Sequence, residues 1–236
     1  MELTVSKALD FLTCPLRYQR RYILGIPEPE PEWEDYPPDE EDGTSAANVG
    51  SAAHQILRSV DFTKDISPQL EEYARYQDEA VRDTALESCR RLLNSPWLSR
   101  IQSGSSWLQE VPFQAHLDQL RLLGRIDLLF KDQSGWIIID YKTGSGEGGE
   151  RYNLQVGIYA LAIERCLGVA PMKVALVNLG KGEDVEINVT AELLDQTRRL
   201  LEAIPLAVRS GAFPARKSSE CDYCGYGKGC QLTVDG

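Results

Sequence analysis

The stretch that most limits how this chain can fold is "GWIIIDYKTG", residues 135–144, where three consecutive isoleucines run into Asp140, Tyr141 and Lys142 and then a glycine. So apolar a run over so few residues reads as a strand buried on both faces, which needs a sheet with helices on either side. The neighbouring sequence supplies both. "LRLLGRIDLLF" is a second apolar strand, joined to the first across "KDQSG", a turn-rich connection that suits a hairpin. "WLQEVPFQAHL" before it and "KVALVNLG" after it read as further strands, and "NLQVGIYALAIERCLG" between has helical period and ends at Gly168, a suitable C-cap. Upstream, "TVSKALDFLTCPLRYQRRYIL", interrupted at Pro15, "NVGSAAHQILRSV" and "SPQLEEYARYQDEAVRDTALESCRRLLNS" read as helices. The expectation is an α/β fold, a mixed central sheet flanked by helices, in a single domain over 1–236 with its sheet core at 107–180. The sequence contains no internal repeat.

Charge does not exclude a nucleic-acid partner. The formal net charge is -11, but nine acids and no base fall between Glu28 and Asp42, so the rest of the chain is nearly neutral. That run, broken by Pro29, Pro31, Pro37 and Pro38, reads as an acidic flexible loop over 28–43, either a plain surface excursion or a partner-docking, DNA-mimicking loop. No apolar run approaches the roughly 18 to 20 residues of a membrane helix, and the N-terminus lacks a secretory pattern. A soluble, cytoplasmic protein with no membrane partner is expected.

Side chains alternate along a strand, so Asp140 and Lys142 share one face and Tyr141 points to the other. A hairpin would bring Asp127, in "GRIDLLF", to the same end of the sheet. Two carboxylates in apolar company raise each other's pKa, and an unpaired one costs several kcal/mol to bury. Lys142 balances one charge; a divalent hard cation would satisfy both. The plain alternative is a structural ion pair, Asp140 with Lys142 or Asp127 with Arg125.

An acid on one strand followed by Asp-x-Lys on the next resembles the PD-(D/E)xK nuclease superfamily, in particular the RecB-like branch that includes Cas4 and AddAB-type nuclease domains. Gln155 and Tyr159, four apart on one helix face, resemble that branch's Gln-x-x-x-Tyr motif. His54 in "VGSAAHQIL" matches its metal-binding histidine, and Glu110 in "QEVPF" stands where it carries an acid. Near the C-terminus, Cys221, Cys224 and Cys230 form C-x2-C-x5-C within 214–232. Spacing alone suits zinc or an iron-sulfur cluster equally. The resemblance implies a [4Fe-4S] cluster with Cys14 as fourth ligand, joining N- and C-terminal helical parts, while Cys89 and Cys166 are expected to be buried bystanders.

The resemblance further implies a restriction-endonuclease-like core in which His54, Asp127, Asp140 and the Tyr141 carbonyl hold Mg2+ or Mn2+. Asp127, Asp140, Lys142 and Glu110 would be catalytic. Gln155 and Tyr159 would contact DNA, joined by Arg17 and Arg21, which with Arg20, Tyr18 and Tyr22 could serve phosphate contact and base stacking. Trp33, Trp97, Trp107 and Trp136 read as packing residues. The implied function is a metal-dependent exonuclease on single-stranded or frayed DNA ends, in repair, recombination or CRISPR adaptation, with a helicase or CRISPR integrase as partner. Two alternatives stand beside it: a non-catalytic iron-sulfur DNA-binding module of a helicase-nuclease or integrase complex, and a zinc-stabilised interaction domain.

Overall fold

Ile137, Ile138 and Ile139 are completely buried because their strand lies inside a sheet with a hydrophobic core on each side. The computed structural model describes residues 1–29, 46–143, 149–180, 182–230 and 232. The chain runs β1 (Glu2–Thr4), α1 (Val5–Thr13), α2 (Pro15–Tyr18), a π-helical turn Gln19–Ile23, α3 (Ala46–Leu57), α4 (Ser67–Ala74), α5 (Glu79–Arg90) and α6 (Pro96–Gln102). It continues through β2 (Ser106–Leu117), β3 (Leu120–Asp132), β4 (Gly135–Lys142), α7 (Glu150–Leu167), β5 (Lys173–Asn178), β6 (Val185–Asn188) and α8 (Ala191–Ser210). Two short 3-10 turns, Ser219–Tyr223 and Gly227–Gly229, carry the last cysteines.

The six strands make one mixed sheet in the order β1-β3-β4-β5-β6, with β2 paired along β3. β4 is antiparallel to β3 and parallel to β5, and α7 makes the crossover between them. The expected α/β architecture with both faces covered is therefore what forms. Along β4, Ile138 joins the core built with α1, α7 and α8. Ile137, Ile139 and Tyr141 join the core built with α3 to α6.

Local chemistry explains the boundaries. In the β3–β4 turn, Asp132 Oδ1 accepts from the Ser134 backbone N–H at 2.7 Å and from its hydroxyl at 2.6 Å. Gly135 follows at φ 129°, a backbone angle that side chains disfavour. Pro15 opens α2 at its first turn, where a missing N–H is no loss, and leaves Cys14 extended between α1 and α2. The helical stretch expected over 67–95 divides at Asp78, whose carboxylate caps α5 by accepting from Ala80 N at 2.9 Å.

The structure departs from expectation in three respects. Strands β1 and β6 lie outside 107–180; at 3 and 4 residues they are too short for a periodic signature and exist because β3 and β5 offer them partners. Cys166 is exposed on the last turn of α7, whereas Cys89 is buried and its thiol pushed up to about 12 by burial. Of the expected acidic loop only Glu28 and Pro29 are described, and Glu28 is not solvated but bonded to Arg17 and to the Gly225 N–H. The remainder of that loop, with Trp33, lies outside the described residues. Among the described residues no helix is long and apolar enough to cross a membrane.

α7 and α8 approach closely at Gly157, where a Cβ would stand 2.2 Å from Thr197 Oγ1. Gly157→Ala is expected to lower stability by about 1–3 kcal/mol and Thr197→Ala to restore part of it, measured by denaturant unfolding; an Ala variant as stable as wild type would show that this contact yields freely.

Candidate active site and cysteine cavity

The carboxyl end of β4, the adjoining part of β3 and the helices on either side bring the expected acids together. Asp140 is 4% exposed although its side chain is ionisable. Lys142 Nζ lies 2.6 Å from Asp140 Oδ2 and donates to Gln155 Oε1 at 3.0 Å. Gln155 Nε2 in turn donates to Asp140 Oδ1 at 3.3 Å and to the Tyr159 hydroxyl at 3.1 Å. Asp140 Oδ2 nevertheless has no aligned hydrogen bond, so its contact with Lys142 is charge against charge. Burial pushes the Asp140 carboxyl up; Lys142 pulls it back, and Asp127 adds to the rise.

On the opposite face, Asp127 Oδ2 accepts from the Tyr141 backbone N–H at 2.8 Å. Its Oδ1 lies 3.3 Å from His54 Nδ1, while His54 Nε2 is 3.0 Å from the Tyr141 carbonyl oxygen. A neutral imidazole has one N–H and cannot donate to both acceptors; an imidazolium can. The electrostatics agree, since burial pushes His54 down but the Asp127 carboxylate outweighs it and the net shift is upward. The Tyr141 carbonyl, expected as a metal ligand, thus accepts from His54.

Glu110 extends the group. The β2–β3 register on either side sets it opposite Asp127, and its backbone takes φ 50°, the left-handed region that a residue other than glycine enters at a cost. One donor atom each from His54, Glu110 and Asp127 lies within 4.8 Å of the others. Glu110 also accepts from Arg125 at 2.9 Å. Nitrogen and carboxylate oxygens this close, beside a buried carboxylate oxygen lacking a hydrogen bond, suit a hard divalent cation. The set differs from the expected one in that Glu110 stands with His54 and Asp127, while Asp140 is engaged by Lys142.

Sequence reasoning missed Tyr152. The Lys142 ammonium lies over its ring, 5.4 Å from the centroid. The signal was present, because Tyr152, Gln155 and Tyr159 fall at i, i+3 and i+7 on one face of α7.

The arginines expected at DNA are largely engaged within the chain. Arg17, its side chain 20% exposed, donates to Glu220 at 2.8 Å and to Glu28 at 3.2 Å. Arg20 donates to the carbonyls of Tyr226 and Gly229, and Arg21 lies 3.7 Å from both Asp10 and Glu28. Arg151, next to Tyr152, donates to Asp10 at 2.9 Å and lies 3.5 Å from Glu220. These contacts fasten the cysteine-bearing segment to α1, α2 and α7. Cys14, Cys221, Cys224 and Cys230 line one cavity of about 200 Å³, with Arg17 and Arg216 at its wall. Cys221 Sγ accepts from the Ser218 N–H at 3.3 Å.

A family profile for the PD-(D/E)XK nuclease superfamily matches residues 2–231. An ATP-dependent helicase/nuclease from Acetivibrio thermocellus is 28% identical over 185 residues, 64% of this chain and 15% of that protein. Its counterpart from Heliobacterium modesticaldum is 28% identical over 178 residues, 61% of this chain and 12% of that protein. The chain therefore matches only a small part of the length of these relatives. The solved structure of a candidate exonuclease from Eubacterium rectale superposes with a TM-score of 0.53 at 16% identity, covering 100% of this chain and 88% of that one, a likeness of fold alone.

His54 yields the test of this geometry. Its pKa is raised, so the contribution of its charge to stability is fully present below about 6.5 and lost as pH rises through the raised value. A cation at the site must displace that proton. Mn2+ affinity is expected to strengthen as pH rises through this window, with release of about one proton near pH 6.5 in calorimetry across buffers of different ionisation heat; heats independent of buffer would show a neutral imidazole.

Proposed function

The chain belongs to the PD-(D/E)XK nuclease superfamily, and from that membership we propose that it hydrolyses DNA phosphodiester bonds with Mg2+ or Mn2+, as an exonuclease on single-stranded or frayed ends. The observation that carries this is the convergence of His54, Glu110 and Asp127 beside the buried Asp140–Lys142 pair at one end of the central strand. His54, Glu110, Asp127 and Asp140 would hold the cation. When bound, it would acidify water and stabilise negative charge on the phosphoryl oxygens. Lys142, a compact point charge, sets its ammonium toward the same space and offsets charge developing on the phosphate. Gln155 orients both Lys142 and Asp140 through one amide. The complete set of acids with Lys142 speaks against a merely DNA-guiding module.

For the cysteines, a [4Fe-4S] cluster on Cys14, Cys221, Cys224 and Cys230 is the reading that the family resemblance favours, and the cavity they line is compatible with it. Four thiolates on zinc stand about 3.8 Å apart at a zinc–sulfur length of about 2.3 Å. Among the described residues no three cysteine sulfurs come within 4.8 Å of one another, which favours a larger group. Such a cluster would tie residue 14 to residues 221–230 across most of the chain. The names of the relatives join helicase to nuclease, which makes an ATP-driven helicase a better partner than a CRISPR integrase and DNA repair a better setting.

Digestion of end-labelled single-stranded and duplex DNA by anaerobically purified protein tests the reading. Cleavage is expected to require Mg2+ or Mn2+ and to fall at least about a hundred-fold in Asp140→Ala and in Lys142→Ala; full activity in either variant would remove its residue from the chemistry. Cys230→Ala is expected to lose iron and to unfold at a lower temperature. Wild-type iron content and Tm in that variant would overturn the cluster assignment.

A further inference from the structure

Resting on the reading of Lys142 as the cation that meets the phosphate, we infer that Tyr152 is a positioning residue whose ring face holds the Lys142 ammonium once Asp140 turns to the metal. Lys142 Nζ has three donors and three neighbours: the Asp140 carboxylate at 2.6 Å, Gln155 Oε1 at 3.0 Å and the Tyr152 ring at 5.4 Å. The strongest of these is shared with the metal. A divalent cation drawing on Asp140 takes away the charge that holds the ammonium, and a lysine side chain has a flexible four-carbon stem to spread over.

Gln155 cannot hold it alone, because its own amide is placed partly by Asp140, at 3.3 Å from Oδ1. The Tyr152 ring is anchored elsewhere. It packs against the core shared by α1, α7 and α8, and the neighbouring Arg151 ties that first turn of α7 to Asp10, Thr13 and Glu220. Of the three neighbours it is the one whose position does not depend on the Asp140 carboxylate. The attraction is between a cation and a ring face, so phenylalanine should serve as well as tyrosine and an aliphatic side chain of similar bulk should not.

The test compares full-length wild type with Tyr152→Phe and Tyr152→Leu, with Tyr152→Met as a second aliphatic variant should Leu fold poorly. Two readouts are taken with Mn2+ present: trace acetylation of Lys142 relative to the exposed Lys64, resolved by mass spectrometry, and kcat and KM on single-stranded DNA. Expected are several-fold greater labelling of Lys142 in the aliphatic variants and a kcat about ten-fold lower at unchanged KM and Tm, with Phe like wild type in both. Equal labelling in all proteins, or a Phe variant as impaired as Leu, would overturn the inference. If wild type does not cleave DNA but the labelling difference is present, the positioning of Lys142 stands and the nuclease reading falls.

Discussion

A carboxylate buried at the end of the central strand has to be balanced, and the elements around β4 are arranged for that balance. Asp140 lies on the face covered by α7, so the helix that crosses from β4 to β5 also delivers Gln155, Tyr159 and Tyr152 to it. Asp127 stands one strand over, on the neighbouring β3, and α3 brings His54 against it from the other face. That approach depends on a small residue. A Cβ at Gly50 would meet Thr143 Oγ1 at 2.7 Å, so α3 reaches the end of β4 because the side chain is missing there.

Conformational and electrostatic costs concentrate at this same end of the sheet. Glu110 holds a left-handed backbone, Asp140 Oδ2 lacks an aligned hydrogen bond, and the buried Tyr141 hydroxyl has no hydrogen-bond partner among the described residues. Each would be worth roughly 1–3 kcal/mol if relieved. The two covered faces of the sheet offset such costs, because nearly every inward residue of β3, β4 and β5 is a large aliphatic or aromatic side chain.

The ends of the chain are joined by charge rather than by a shared strand. Isolated exposed ion pairs contribute little. The Arg17, Glu28, Glu220 and Arg151 contacts form a half-buried network instead, centred on Glu220, next to Cys221. One side of that network borders the cysteine cavity and the other borders the first turn of α7, which carries Tyr152. The two candidate sites are therefore neighbours through one helix turn.

Strand alternation and a tight turn are local rules that act over a few residues, so the sheet, the hairpin and the pairing of Asp140 with Lys142 were legible in the chain alone. His54, Asp127, Gln155 and the cysteines were legible too, by their spacing within a resembled family. How these groups share partners was not. Glu110 joined His54 and Asp127, Arg17 was taken up by Glu28 and Glu220, and Lys142 acquired the Tyr152 ring only once the elements had packed. Those outcomes depend on which long, charged or aromatic side chains meet across elements distant in sequence, and a side chain's partner is set by the packing of helices and strands rather than by its own neighbours along the chain.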